Sequence, residues 1–510
     1  MRNRSFVITL ALLAPASASA EGTLRLDDAV RSALTEHPDL LAAQQRVEAA
    51  RGQLSSVRGT FDEYLDASVD YQRTEEAITQ EQRPFVGADS LTSDVFTARL
   101  GLSKTFRWGM RVNPSVAVTR SERDVGANAP ETDALNRAQA RLQVTQPILR
   151  NVGASSAVLQ ERTSEIAFEA AERDLEGTAQ RLTRDVVNAY WTYAASVRRL
   201  ALLEISEALA KKTAEDTRAL IAADERPAAD ALQLEATEAD RRRQRLQAES
   251  SVFADRRRLG LAMGLDDARA MALPPPARSL PTAPLLAAIA PTEPELAAAV
   301  ERRPDVIAAR LRLAANGLSV DAADWNTLPE LDASFGVGYS GRLDRDAPSG
   351  LFGALTANVG PSVGGGLTLR LPVRNAQQRG ALLNQLAARR QAELQLFDLE
   401  RNVRANLAIA HNQLLRAAEA VTAAQRALEL FEGALDAETE KLAAQLGTVL
   451  DVVLSQERLL NAQISSVDAR AQNARAHVDL EYQRGVLPNG AEDQDALARL
   501  LAAFAEEATP

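Results

Sequence analysis

The sequence predicts an α+β membrane protein in which short transmembrane β-barrel strands feed very long antiparallel coiled-coil helices, laid out as two internal repeats. Three observations predict it. A block of about forty residues recurs at constant offset, strict period-two alternation follows it in both copies, and two stretches of about 68 residues lack proline.

The recurrence makes the chain a duplicated unit rather than one continuous domain. His37-Pro38-Asp39 returns as Arg303-Pro304-Asp305, Ala42-Ala43 as Ala308-Ala309, and Leu65-Asp66-Ala67-Ser68 as the identical Leu331-Asp332-Ala333-Ser334. Further on, Gln146-Pro147-Ile148 with Arg150-Asn151 is echoed by Leu371-Pro372-Val373 with Arg374-Asn375 at a smaller offset, so the first copy holds roughly forty extra residues. The chain then divides into residues 1–20, a first repeat 21–265, a linker 266–292 rich in proline, a second repeat 293–487 and a tail 488–510.

Residues 1–20 carry Arg2 and Arg4, an apolar run from Phe6 to Ala14 and then Ala18-Ser19-Ala20, the layout of a cleavable export signal. That run is too short for a membrane anchor, which needs about 20 apolar residues. After an opening helix, about Leu24 to Arg58, apolar Ala67, Val69 and Tyr71 alternate with Asp66, Ser68, Asp70 and Gln72. In the second copy Ala333, Phe335, Val337 and Tyr339 alternate with Ser334, Gly336, Gly338 and Ser340. These read as strands with one apolar and one polar face, which fits a wall between lipid and water. Period two alone does not name the solvent, and a sheet with one solvated face reads the same way.

The helices favour the membrane reading. Each proline-free stretch, from about Ala154 to Ile221 and from about Ala376 to Ala443, accommodates one helix about 100 Å long at 1.5 Å per residue. In the second, Leu407, Leu414, Val421, Leu428, Leu435 and Leu442 fall every seven residues beside Val403, Ala410, Ala417, Ala424 and Phe431, the pattern of a coiled-coil seam. Tyr190, Trp191 and Tyr193 are expected at the seam of the first. Lengths suggest that each long helix packs beside two short ones stacked end to end: about Ala228 to Met263 with about Glu293 to Trp325, and the opening helix with the last, about Val449 to Gly485. The tail offers one short amphipathic helix from Ala496 to Phe504.

Short strands feeding duplicated helical hairpins behind an export signal resemble the TolC-like outer membrane efflux proteins over nearly the whole mature chain. Local marks are Pro38 and Pro304, Gln146-Pro147-Ile148-Leu149-Arg150-Asn151-Val152-Gly153 before the first long helix, and Gly447-Thr448-Val449-Leu450-Asp451-Val452 at the second hairpin turn. The resemblance implies a homotrimer set in outer membrane lipid, with four strands per subunit in a closed twelve-stranded barrel. It further implies a periplasmic α-barrel that docks with a periplasmic adaptor (membrane fusion) protein and an inner-membrane pump. Closure suits the strands, because open sheet edges cannot stay unpaired in lipid. Alternating segments Ala98 to Phe106 and Val112 to Thr119, separated by Arg107-Trp108-Gly109, depart from that pattern and leave the strand count open.

The hairpin tips, near 222–230 and 443–451, are the expected place for a gate and a docking surface. Asp451 matches an aspartate that lines the family's periplasmic constriction, and Asp230 holds the corresponding place in the first tip. Thr448 with Asp451 three residues later also reads as a helix cap, and the family's second constriction aspartate falls at Leu454. Pro227, Gly447 and Thr448 are the expected adaptor-docking residues. Tyr71, Trp108, Phe335 and Tyr339 are candidate membrane-interface aromatics, since such rings favour the headgroup layer.

Other functions find little support. Net charge of −11 disfavours nucleic acid. No cysteine is present, which removes disulfides and thiolate metal sites. His37, His411 and His477 show no metal-ligand spacing and read as helix-surface residues, as do the runs 241–243 and 256–258 of arginine. Gly336-Val337-Gly338-Tyr339-Ser340-Gly341 has a dinucleotide-like spelling but opens no helix. No cofactor and no catalytic constellation is expected. The competing reading is a periplasmic coiled-coil structural or adaptor protein without a membrane barrel.

Overall fold

The computed structural model describes residues 22–81, 83, 90–124, 134–150, 152, 156–222, 229–285, 290–344, 353–357, 359–444 and 446–504. The export signal and Pro227 lie outside them. The chain forms two compact units. One holds residues up to Gln45, Arg173–Val306 and Leu399 onward; the other holds Arg46–Glu172 and Ile307–Asp398.

In chain order the elements are α1 (Leu26–Glu36), α2 (Pro38–Arg58), β1 (Glu63–Ala77), β2 (Ser90–Thr105), β3 (Arg111–Asp124), β4 (Leu135–Pro147) and α3 (Ser156–Ala222). There follow α4 (Ala229–Ala262), α5 (Asp267–Met271), α6 (Glu293–Arg302), α7 (Pro304–Trp325), β5 (Glu330–Asp344), β6 (Gly360–Arg370), α8 (Ala376–Ala443), α9 (Val449–Arg484) and α10 (Gln494–Ala503). The two long helices expected from the proline-free stretches are α3, 67 residues, and α8, 68 residues.

Each expected opening helix is in fact two. His37 and Arg303 have extended backbone, ψ 128° and 123°, because the ring of the following proline disfavours helical geometry before it. The break has a use in packing. Gly264, just past α4, lies so close to His37 that a Cβ on it would meet the His37 Cα at 2.6 Å. Gly485, just past α9, lies against Arg303 in the same manner, with φ +69°, and Gly264 has φ +78°. Both are left-handed helix caps, which glycine adopts without a Cβ clash. The short helices therefore meet within each repeat, α4 at the start of α2 and α9 at the start of α7. This corrects the cross-repeat stacking suggested by length, which any similar set of lengths satisfies.

The core of the helical unit gathers Tyr190, Trp191 and Tyr193 of α3, all buried, with Leu259 of α4, Val478 of α9 and Leu497, Leu500 and Phe504 of the tail. Tyr190 donates its hydroxyl to the Leu24 carbonyl and accepts from the Arg278 amide, both at 3.1 Å, so it ties the chain start to the linker; burial raises its pKa. Leu285 of the linker is pinned: the Asn473 amide bonds both its backbone groups, at 2.7 and 3.1 Å. On α8 the seam from Val403 to Val421 is buried, and Leu428, Leu435 and Leu442 are half-buried.

Three surface assignments change: those of His411, of Arg241 and of His477, which is half-buried edge-on to the Phe504 ring at 5.6 Å between ring centres. His411 is fully buried beside that seam, with Nε2 3.0 Å from Glu295 Oε1, and Arg484 donates to the same oxygen at 2.9 Å. Burial pushes the Glu295 carboxyl up, but these two donors outweigh it and hold it below its ordinary value. Arg241 is also buried, 3.7 Å from Glu457, whereas Arg257 and Arg258 pair with Asp267 and Asp255 as their acidic surroundings suggest.

The other unit carries one antiparallel sheet in the order β1-β2-β3-β4-β5-β6. The segments whose place the sequence left open are β2 and β3, and they sit inside this order. A chain of six strands thus replaces the four that the resemblance implies. Pairing of β2 with β3 lapses opposite Pro114, which has no amide hydrogen to give.

Candidate functional site

Two features carry the functional case: the faces of the sheet and the tip of the α8–α9 hairpin.

Register determines the faces, since directly paired residues point to one side of a sheet. Ala67 pairs with Leu100, Leu100 with Val116, Val116 with Ala140, Ala140 with Tyr339, and Tyr339 with Pro361. Two residues along, Leu65–Leu102 and Leu142–Val337–Val363 continue the same apolar side. The intervening rows are polar or glycine: Ser68 pairs with Arg99, Gln139 with Ser340, Arg141 with Gly338, and Gly336 with Gly364. Through the middle of the sheet one face is therefore apolar and the other polar, and charged residues enter the apolar side only toward the strand ends, at Lys104 near the helix junctions and at Arg73, Asp94, Arg120 and Glu122 toward the other end. Toward the end away from the helix junctions, the turn 353–357 lies on the apolar side, with Ala354 against Val118 and Ala138.

The apolar side chains are mostly uncovered: Leu65 is 70% exposed, Val69 70%, Val363 74% and Leu367 71%. A face of this size needs a partner other than water. Among the described residues the outer strands β1 and β6 each pair with one neighbour, so their far edges present backbone groups open to a further strand.

The candidate interface aromatics do not share one level. Trp108 lies in the β2–β3 turn, near the helix junctions, stacked on Phe106 at 4.6 Å between ring centres. Phe335 pairs with Val144 near the same end, Tyr339 pairs with Ala140 at mid-strand, and Tyr71 pairs with Phe96 toward the other end. Below Trp108, Arg107 is held by two 3.0 Å bonds to Glu161 of α3 and lies over the Phe61 ring.

The faces make a direct prediction from two adjacent residues. Ala140→Lys, on the apolar side at mid-strand, is expected to lower stability in phospholipid vesicles by about 2–4 kcal/mol, the cost of a charge at lipid depth. Gln139→Lys, on the polar side, is expected to change it by less than about 0.5 kcal/mol. Urea unfolding of the two reconstituted variants checks the contrast.

At the second tip the chain enters α9 through a complete capping box. The Asp451 amide donates to Thr448 Oγ1 at 3.2 Å, and the Thr448 amide returns a bond to Asp451 Oδ2 at 3.0 Å. The Thr448 hydroxyl donates to that same carboxylate oxygen at 2.6 Å. These bonds, led by the hydroxyl and joined by the charge of Lys441, hold the exposed Asp451 carboxyl below its ordinary value. A Cβ on Gly447 would lie 3.4 Å from the Leu442 nitrogen and the Lys441 Cβ, an ordinary contact distance, so the turn itself does not demand glycine there. Sequence reading missed the apolar side of this tip: Leu446 is 82% exposed, with Leu450 and Leu454 also exposed. At the first tip Asp230 lies in the opening turn of α4.

Among the described residues there is no cluster of metal-ligating side chains, and no helix is long and apolar enough to cross a membrane, which says nothing of strands.

The profile of the outer membrane efflux protein family matches residues 296–485. Among individual curated proteins none matches significantly. Among solved structures, the chain is similar to the CmeC outer membrane channel of Campylobacter jejuni, with 15% identity over 94% of this chain and 89% of that one, TM-score 0.68. It is similar to the outer membrane protein VceC of Vibrio cholerae, with 17% identity over 90% and 96%, TM-score 0.64. The open-state MtrE outer membrane channel of Neisseria gonorrhoeae aligns with 14% identity over 90% and 89%, TM-score 0.64. The chain therefore carries the sequence pattern of the outer membrane efflux proteins through its second repeat, and the fold of TolC-like channels over nine-tenths of its length.

Proposed function

We propose that this chain is the outer-membrane channel subunit of a tripartite efflux or secretion system. Its sheet crosses the outer membrane, and its long hairpins form a tunnel in the periplasm. The observation that carries this reading is the apolar band that runs across the middle of all six strands, joined to two open edges. Such a band requires lipid, and such edges require sister chains. Three copies closing a ring satisfy both demands, and the hairpin tips then meet a periplasmic adaptor and an inner-membrane pump. The channel has no catalytic step; it supplies a water-filled path, and substrate choice rests with the pump.

In that assembly the second tip forms the constriction. Three copies of Asp451 around one axis make an acidic ring, which attracts cations and resists anions. Capping and gating use different faces of the same carboxylate, so one residue serves both. Because its folded-state pKa is depressed, the cap is fully formed above the ordinary aspartate value and is lost only as pH falls through the lower folded value.

Single-channel recording in planar bilayers tests this. Wild-type protein is expected to conduct with cation preference that persists through the ordinary aspartate titration range, near about pH 4. Asp451→Ala is expected to raise conductance and abolish block by multivalent cations. Unchanged conductance and block in that variant would remove Asp451 from the gate and leave it a helix cap.

A further inference from the structure

We propose that the β2–β3 hairpin is part of the membrane wall, so that each subunit contributes six strands and the β6 edge of one copy pairs with the β1 edge of the next. The proposal rests on the outer-membrane reading above and goes beyond it in the composition and width of the barrel.

Three independent features place the hairpin in the wall. The first is pairing. β2 and β3 separate β1 from β4 in one continuous antiparallel ladder, with β1 matched to β2 from Glu63–Lys104 to Ala77–Ser90. A hairpin folded away from the wall would leave β1 to pair with β4 directly, which their antiparallel directions permit.

The second is patterning. On β2, Phe96, Leu100 and Leu102 point to the same side as Val112, Val116 and Val118 on β3, and that side is continuous with the apolar face of β1 and β4. On the opposite side the hairpin offers Arg99, Thr97, Ser115 and Thr119. On the apolar side, charged residues flank the band, Lys104 near the helix junctions and Asp94, Arg120 and Glu122 toward the far end; a water-exposed appendage has no use for such a band, whereas a wall strand requires one.

The third is length. A tilted strand crosses the hydrocarbon layer in about 9–11 residues. β2 has 16 residues and β3 has 14, against 15, 13, 15 and 11 for β1, β4, β5 and β6. The insertion is therefore a full pair of crossings. The repeat offsets agree: Pro38 to Pro304 spans 266 positions and Gly264 to Gly485 spans 221, and the difference is the size of one spanning hairpin with its loops.

An even number of added strands keeps the edges compatible. β6 runs antiparallel to β1, so copies joined edge to edge give an antiparallel ring at any copy number, as closed membrane barrels require. For three copies the ring has eighteen strands. With strands about 4.8 Å apart and tilted about 40°, the backbone radius is about 18 Å, against about 12 Å for twelve strands. Glycines at 336, 338, 364 and 366 on the polar face leave that wider lumen little obstructed from β5 and β6.

The absence of cysteine makes a clean test possible. Leu100→Cys, Val116→Cys and Ala140→Cys lie in one row on β2, β3 and β4; Leu100 and Val116 are exposed, so a small side chain is tolerated there. Each variant of the full mature chain is labelled with bimane and reconstituted in phosphatidylcholine vesicles whose acyl chains are brominated at mid-depth. Strong and similar quenching at all three positions is the expected result. Quenching at Ala140 alone overturns the six-strand wall while leaving the channel reading intact, and quenching at none overturns the channel reading itself. For the seam, Ser68→Cys on β1 is combined in turn with cysteines along β6 and oxidised in isolated outer membranes. Disulfide-linked multimers at one register are expected; their absence at every register overturns the pairing of β6 with β1.

Discussion

Trp191→Ala is expected to destabilise the helical unit by about 3–5 kcal/mol, the cost of removing a large buried aromatic from a packed core. Trp191 is 1% exposed and sits where three segments distant in sequence meet. Its ring lies edge-on to Tyr190 at 5.3 Å and against Phe504 of the tail at 5.1 Å, and Phe504 in turn meets His477 of α9. Removing the indole therefore also loosens the seat of α10. Trp191→Phe is expected to cost much less, because the indole N–H has no hydrogen-bond partner among the described residues and its loss relieves a buried unpaired donor. Thermal unfolding followed by circular dichroism in detergent checks both variants. Deletion from Asp493 onward is expected to lower the midpoint in the same direction as Trp191→Ala.

Gly264→Val is expected to be as severe, for a backbone reason. The position has φ +78°, where a β-branched residue is strained, and its Cβ would meet His37 Cα at 2.6 Å and His37 N at 2.9 Å. Neither neighbour is a flexible side chain, so the junction between α4 and the α1–α2 break must open. A cost of about 3–5 kcal/mol follows from left-handed strain added to overpacking. Gly52→Val, on α2 with open space at its Cβ, is the matched control and is expected to cost no more than a helix-propensity change, about 0.5 kcal/mol or less. Yield of folded protein in membranes and unfolding midpoint distinguish the two.

The parts legible in the sequence were those written as periodicity or as repetition. Proline-free stretches gave α3 and α8 almost to the residue, the heptad row gave the buried seam from Val403 to Val421, and alternation in β1 and β5 gave their faces. Pro38 and Pro304 marked the matching points of the repeats, yet the helix breaks they cause were missed, because a proline at a helix start and one in a helix interior differ only in the residue before them. Contacts between distant positions left no local signal. His411 looks like any helix-surface residue until Glu295, 116 positions earlier, is folded against it. The partners of Gly264 and Gly485 were hidden for the same reason. At the second tip, Thr448 and Asp451 were legible because a capping box is local. The exposed leucines at 446, 450 and 454 were not, since a leucine near a hairpin turn reads as packed within its own hairpin until the fold shows it uncovered.

The apolar band of the sheet belongs in outer-membrane lipid, and fractionation shows whether it resides there. Cells expressing the full chain are separated into soluble, inner-membrane and outer-membrane fractions, and the protein is extracted with detergent and sized by analytical ultracentrifugation. A multimer recovered from the outer-membrane fraction, shifting to a monomer on denaturing gels only after heating, is the predicted result. A monomer found in the soluble fraction, stable without detergent, would contradict it.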